Sequence, residues 1–258
     1  MESSLTPDRK VEFVAHRGES TDAPENTMAA FRLAFERGDR AIELDVHLTR
    51  DEELLVCHDP DTLRTTGTKQ IIRESCLQDL SALDAGSWKD RRWAGEKLPS
   101  LDRVLAELPA EVRCFIEIKV GPEAVPALEK LVRRHDSKDA QLVIISFEAS
   151  TIAEVKRRLP YLEAHLLAWF EHDKQTLTWS PTAQHLIDYA WSIGANGLGL
   201  DHVGPVDHSF VQQAKLSGLA LYAWTVDDLD RARQLIESGV DGITTNRAAW
   251  MREQLGGH

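Results

Sequence analysis

The stretch AIELDVHLTRDEELLVCHD, residues 41–59, decides how the whole chain is read. It begins as a buried strand, yet two carboxylates, Glu43 and Asp45, stand in its apolar run. Side chains alternate between the faces of a strand, so these two acids point together while Leu44 and Val46 point the other way. Burying adjacent carboxylates without a partner is costly, and a bound cation would resolve the conflict. The stretch closes on His58 beside Asp59.

Outward from this segment, β-like runs recur at 11–16, 113–118, 141–146, 163–169, 195–200, 219–224 and 240–245, which with 41–46 makes eight. Helical periodicity fills most of the gaps. The first helix carries Met28, Phe31 and Phe35 at helical spacing, begins near Asn26 as its N-cap and stops at Gly38. Similar patterns cover 124–135, 150–158, 182–191, 209–216 and 227–237. Eight strands alternating with helices in 258 residues predict an α/β fold, a TIM (β/α)8 barrel, rather than a doubly wound open sheet. No repeat, low-complexity tract or interdomain linker divides the chain, so 1–258 reads as one domain. One segment, 60–99, is turn-rich and lacks sustained periodicity. It reads as a small insertion after the second strand, rising over whatever site His58 belongs to.

The net charge of −12 argues against a broad nucleic-acid surface, and a small anionic substrate would need a local positive site. The start, MESSLTPDRKVEF, lacks the pattern of a secretory signal, and no run approaches the roughly 18 apolar residues of a membrane span. The expectation is a cytoplasmic protein without stable membrane insertion. Nothing in the sequence specifies an oligomeric state. Cys57, Cys76 and Cys114 lack CxxC spacing, and Cys57 and Cys114 sit in apolar runs as core thiols.

A third carboxylate is available in FIEIKV (115–120), where Glu117 and Lys119 share a face. Barrel enzymes carry their chemistry at the C-terminal ends of the strands, where all these residues sit. Oxygen donors of this kind suit one hard divalent cation, Mg²⁺ or Ca²⁺. Each motif alone has a plainer reading: ELD as a helix cap or surface ion pair, Glu117 and Lys119 as partners of each other. The first strand exits through AHRGES (15–20), which adds His16 and Arg17 at the same end. With His58 this supplies two imidazoles able to exchange protons near neutral pH.

AHRG (15–18), APENT (23–27), IELDV (42–46), HD (58–59), LRTTG (63–67), LDAGSW (83–88), LPSLDRVL (98–105), EIK (117–119), SF (146–147) and WTV (224–226) follow one another in an order that resembles the glycerophosphodiester phosphodiesterase family. The resemblance spans nearly the whole chain and implies a metal-dependent barrel hydrolase with an insertion after the second strand. It places Glu43, Asp45 and Glu117 on metal-ligand positions, His16 and His58 on the acid–base pair, Arg17 and Lys119 on phosphate contacts and Trp224 beside the substrate. The substrate it implies is a small glycerophosphodiester, cleaved to glycerol 3-phosphate and an alcohol. Which histidine is the acid stays open, as does the nucleophile, water or the neighbouring glycerol hydroxyl.

Two departures lie outside that set. DGITTN (241–246) stands where many members have Thr-Asp, so no supporting role carries over to Asn246, and His47 replaces a frequent Gln. His47 shares the parity of the acids, which allows a metal contact. PENT (24–27) has two readings, ordering the loop over the site or starting the first helix through Asn26, and Trp88 and Trp93 have two, lining the substrate's alcohol side or forming the core of the insertion; the second is the expectation in each case, and Trp169, Trp179 and Trp191 are expected to pack. Two other readings compete: a phospholipase-D-like barrel acting on lysophospholipids, which would favour an apolar rim that the sequence does not display, and a silent barrel that binds a phosphorylated metabolite, which has no need for both histidines.

Overall fold

The computed structural model describes residues 11–135, 138 and 141–256. Most of the stretch read above for a secretory signal, 1–10, lies outside the described residues.

The strands in chain order are β1 (Glu12–His16), β2 (Ala41–Leu48), β3 (Leu54–Val56), β4 (Arg113–Ile118), β5 (Leu142–Ser146), β6 (Glu163–Ala168), β7 (Glu171–Asp173), β8 (Thr178–Ser180), β9 (Gly197–Asp201), β10 (Ala220–Trp224) and β11 (Gly242–Thr245). Eight of them, β1, β2, β4, β5, β6, β9, β10 and β11, pair in parallel in that order, and β1 closes back on β2. This is the expected (β/α)8 barrel, with every barrel strand inside or within two residues of its sequence-predicted range. Two additions were not legible: β3 pairs antiparallel with β2, and β7 and β8 form a separate hairpin after β6.

Strand parity sorts the side chains into two cores. Ile42, Leu44, Val46, Cys114, Ile116 and Ile118 face outward into the continuous layer beneath the helices. Val14, Phe115, Val143, Ile145, Leu167 and Tyr222 fill the barrel interior. The weakest strand in sequence, β9, owes its glycines to this interior. A Cβ on Gly197 would lie 2.7 Å from His165, and one on Gly199 would lie 2.5 Å from Leu167. The large side chains of β6 thus occupy space that β9 leaves open, and the apolar pattern of a buried strand thins out for the same reason.

The helices start on side chains that cap them. Ser100, Thr182, Asp207 and Asp228 each accept a backbone N–H from the first turn of the helix they precede. The first helix (Met28–Glu36) differs from expectation: its cap is Thr27, whose hydroxyl accepts from the Ala30 N–H, while Asn26 turns away with φ +57°.

The segment from Cys57 to Leu98 carries short helical turns around an aliphatic cluster of Leu55, Cys57, Ile72, Leu80, Ala85 and Leu98. Trp88 and Trp93 are not its core, contrary to expectation. Trp88 is 41% exposed, and Trp93 reaches across to donate its indole N–H to the Asp22 carbonyl. Trp191 is likewise exposed, Trp169 is exposed on one side while its ring lies 4.8 Å from that of Phe147, and Trp179 leans on the main core. Cys57 and Cys114 are buried free thiols, as read. Among the described residues no helix is long and apolar enough to cross a membrane.

At the N-terminal end of the barrel, Arg113 binds Glu12 (2.7 Å), the Tyr222 hydroxyl (3.0 Å) and Glu163 (2.6 Å), and Glu163 also meets His165 at 2.8 Å. Burial pushes the Glu163 carboxyl up, but His165 and Arg113 outweigh it and hold the group at about 2, below its ordinary 4.5. A carboxyl with a depressed folded pKa stabilises the fold above its unfolded value and loses that contribution as pH falls toward the folded one. Glu163→Gln should therefore lower Tm at neutral pH and flatten its decline between pH 4.5 and about 2, as followed by circular dichroism. Parallel pH profiles for the two proteins would refute the linkage.

Candidate active site

Strand register builds the site. β1 and β2 place His16 opposite Glu43, and β2 and β4 place Asp45 opposite Glu117. Three carboxylates from two adjacent strands therefore meet, each buried and each offering an oxygen within 4.8 Å of the others. At an effective dielectric of about 20, each ionised pair at that distance repels by roughly 3.5 kcal/mol.

Two cations partly offset this. Arg17, in the left-handed region at φ +58°, donates its backbone N–H to Glu43 Oε2 at 3.0 Å and brings Nε to 3.2 Å from Asp45 Oδ2. The chain can turn so tightly because Gly18 follows: at φ +82°, a Cβ there would sit 2.6 Å from the Ala30 carbonyl carbon. Lys119 Nζ lies 2.7 Å from Glu117 and 3.5 Å from Asp45. Asn26 adds its side-chain amide to Asp45 Oδ2 at 2.8 Å, a role in the site that helix starting had concealed.

The charge is shared unequally. Burial raises the Glu43 carboxyl well above its ordinary value, and Asp45 and Glu117 push it further. Glu117 is raised by the same two effects, burial first and Asp45 second. Burial also acts on Asp45, but Arg17, Lys119 and Asn26 overcome it and pull that carboxyl below its ordinary value. Hard oxygen donors gathered this closely, with repulsion left over, fit a divalent cation.

The imidazoles flank this cluster. His16 Nδ1 is 2.7 Å from Asn246 Oδ1, and its Nε2 faces Glu43 at 3.9 Å. Burial, followed by the Arg17 charge, lowers His16 to about 4. His58 Nδ1 is 2.7 Å from Asp59 Oδ1. His47 is not one of the three clustered ligand groups; its Nε2 lies 3.0 Å from the His58 carbonyl oxygen, which braces the His58 loop. Asn246, given no role by its sequence context, holds His16, and Asp227 in turn holds Asn246 through the amide N–H group at 2.6 Å. Its one legible signal is position, directly after the strand that pairs with β1.

His16, Arg17, Glu43, His58, Glu117 and Lys119 line a cavity open to solvent, together with the apolar side chains Phe115, Phe147, Leu167 and Trp224. The Trp224 indole N–H is buried there without a hydrogen-bond partner, and its ring meets Phe147 edge-on at 5.4 Å. All eight sequence-predicted site residues line this cavity or belong to its acidic cluster.

Acids, cations and imidazoles gathered at the open end of a (β/α)8 barrel define a hydrolytic enzyme suited to an anionic substrate. The comparisons specify the class. Residues 16–249 match the glycerophosphoryl diester phosphodiesterase family model. A glycerophosphodiester phosphodiesterase of Caldanaerobacter subterraneus subsp. tengcongensis is 33% identical over 241 residues, covering 92% of this chain and 94% of that protein. One from Bacillus subtilis is 31% identical, covering 94% and 85%. Among solved structures, an Oleispira antarctica phosphodiesterase in complex with the product sn-glycerol-3-phosphate superposes with a TM-score of 0.86 at 25% identity, covering 95% of this chain and 96% of that one. The chain belongs to the glycerophosphoryl diester phosphodiesterase family.

Glu43 and Glu117, raised in the folded state, favour folding below their unfolded pKa and lose that contribution as pH rises. Glu43→Gln should raise the Tm of the metal-free protein, more at pH 8 than at pH 5, as read by thermal denaturation in a chelator. An unchanged or lower Tm would mean that the repulsion is relieved elsewhere.

Proposed function

We propose that this chain hydrolyses glycerophosphodiesters to glycerol 3-phosphate and an alcohol, in one barrel domain whose 60–99 insertion frames the mouth of the cavity. The observation that carries this reading is the buried acidic triad with an imidazole on either side, all facing one cavity.

Glu43, Asp45 and Glu117 would hold one Mg²⁺ or Ca²⁺. When bound, such an ion neutralises charge on the phosphate's nonbridging oxygens. Arg17 and Lys119 share that task, because a phosphodiester anion repels the incoming nucleophile until its charge is met. Trp224 offers its unpartnered N–H and a ring face to the glycerol half.

The two histidines divide the proton work. The Asn246 amide is oriented by its neighbours: its nitrogen must face the Asp227 carboxylate, so its oxygen faces His16 and accepts from Nδ1–H. The lone pair is then on Nε2, toward the cavity. A buried, neutral imidazole with Nε2 free is a proton acceptor, so His16 takes the proton of the attacking group: either water, giving glycerol 3-phosphate directly, or the neighbouring glycerol hydroxyl, giving a cyclic phosphate that water then opens to glycerol 3-phosphate. His58, its ring held by the Asp59 carboxylate at Nδ1, is the imidazole left to deliver a proton to the leaving alkoxide.

His16→Ala and His58→Ala should each lower kcat by about two orders of magnitude or more while far-UV circular dichroism stays unchanged. A folded His58→Ala protein with full turnover of sn-glycero-3-phosphocholine would remove it from the mechanism. Exhaustive chelation should abolish turnover, and added Mg²⁺ or Ca²⁺ should restore it; undiminished activity after chelation would end the metal assignment.

A further inference from the structure

We infer that Arg64, in the insertion, is a positioning residue that sets His58 and Arg17 together. Its guanidinium donates Nε and Nη2 to Asp59 (2.7 and 3.2 Å) and Nη1 and Nη2 to Glu25 (2.8 and 2.9 Å). Asp59 holds His58 Nδ1, and Glu25 accepts from Arg17 Nη1 at 2.7 Å. A chain of alternating charge thus runs from His58 through Asp59, Arg64 and Glu25 to Arg17, and on to Asp45. The inference rests on the roles assigned above to His58 and Arg17.

Among the described residues, Arg64 is the side chain that hydrogen-bonds both Asp59 and Glu25. Asp59 comes from the loop after β3, Glu25 from the loop between β1 and the first helix, and Arg64 from a four-residue helical turn, Leu63–Thr66. His47 braces the His58 loop and Asn26 ties the Glu25 loop to Asp45, but the two carboxylates themselves are held in register with each other through the guanidinium. A planar fork with five donors can give each of two carboxylates a pair of N–H bonds at once, which the three donors of a lysine ammonium cannot reproduce. Without Arg64, Asp59 is free to rotate off His58. Glu25, only 14% exposed, is left with Arg17 as its one hydrogen-bonded cation among the described residues, so the Arg17 guanidinium shifts toward it and loses its set position beside Asp45. The first change acts on proton delivery, and the second on binding of the phosphate.

The test is steady-state kinetics on sn-glycero-3-phosphocholine with the metal-loaded full chain. Arg64→Ala should lower kcat and raise KM together, for a loss of about 10- to 100-fold in kcat/KM. Asp59→Asn should reproduce mainly the fall in kcat, and Glu25→Gln mainly the rise in KM. Adding either substitution to Arg64→Ala should cost little more, and millimolar guanidinium should restore Arg64→Ala while ethylammonium does not. An arginine that merely supports the fold gives neither the split nor the rescue. Arg64→Ala with unaltered kcat and KM, alongside impaired His58→Ala and Arg17→Ala, would overturn the positioning role alone. So would an impaired Arg64→Ala protein with additive effects and no guanidinium rescue. Full turnover by His58→Ala or Arg17→Ala would instead bring down the catalytic reading on which it rests.

Discussion

Mutual repulsion among Glu43, Asp45 and Glu117 is the constraint around which the open end of this barrel is organised. The acids cannot separate, because each is carried on a strand whose register is set by hydrogen bonds to its neighbours. Relief has to come from outside the strands. Arg17 reaches in from the turn after β1, Lys119 from just past β4 and Asn26 from the loop before the first helix. These converge on Asp45, which they hold ionised, while Glu43 and Glu117 keep raised pKa values. The protein has solved the problem for one acid of the three. That unequal treatment is what a site open to an added positive charge requires, since full internal pairing would leave nothing for an ion to offset.

The opposite end of the same strands makes the contrast plain. There Arg113 is matched by Glu12 and Glu163, with Tyr222 and His165 completing the hydrogen bonds and Phe115 lying under the guanidinium. Both ends place acids inside the barrel, but at the N-terminal end each acid has its partner. The difference follows the usual division of labour in this fold, stability at the bottom and chemistry at the top.

Much of this was legible because it depends on parity. Glu43, Asp45 and Glu117 share the inward face of their strands for the same reason that Leu44 and Ile116 share the outward one, and a period of two is visible in one sequence. Eight strands with helices between them already implied closure. What escaped the reading depends on loops meeting loops. Asn26 looked like a helix start because Asn is a good N-cap; Thr27, one residue later, does that work and frees Asn26 for Asp45. Arg64 and Glu25 are 39 residues apart, and no periodicity links them. Trp88 was misplaced because aromatic bulk suggests burial, whereas the insertion closes on Leu55, Leu80 and Leu98 without it.

Asn246 is the most instructive departure, because a carboxylate at its place would do something different to His16. A carboxylate 2.7 Å from Nδ1 would favour the protonated ring and pull it back up from the low value that burial sets, whereas a neutral amide fixes the same orientation without adding charge. An amide has a weakness of its own, since it can flip. Asp227 removes that freedom: it accepts from the Asn246 side-chain N–H, from the Asn246 backbone N–H at 2.9 Å and from the Thr245 hydroxyl at 2.8 Å, so that it too is fixed. The negative charge is thereby moved one residue further from the imidazole, and burial is left to keep His16 neutral. Geometry and charge, which a carboxylate would supply together, are supplied here by two separate side chains.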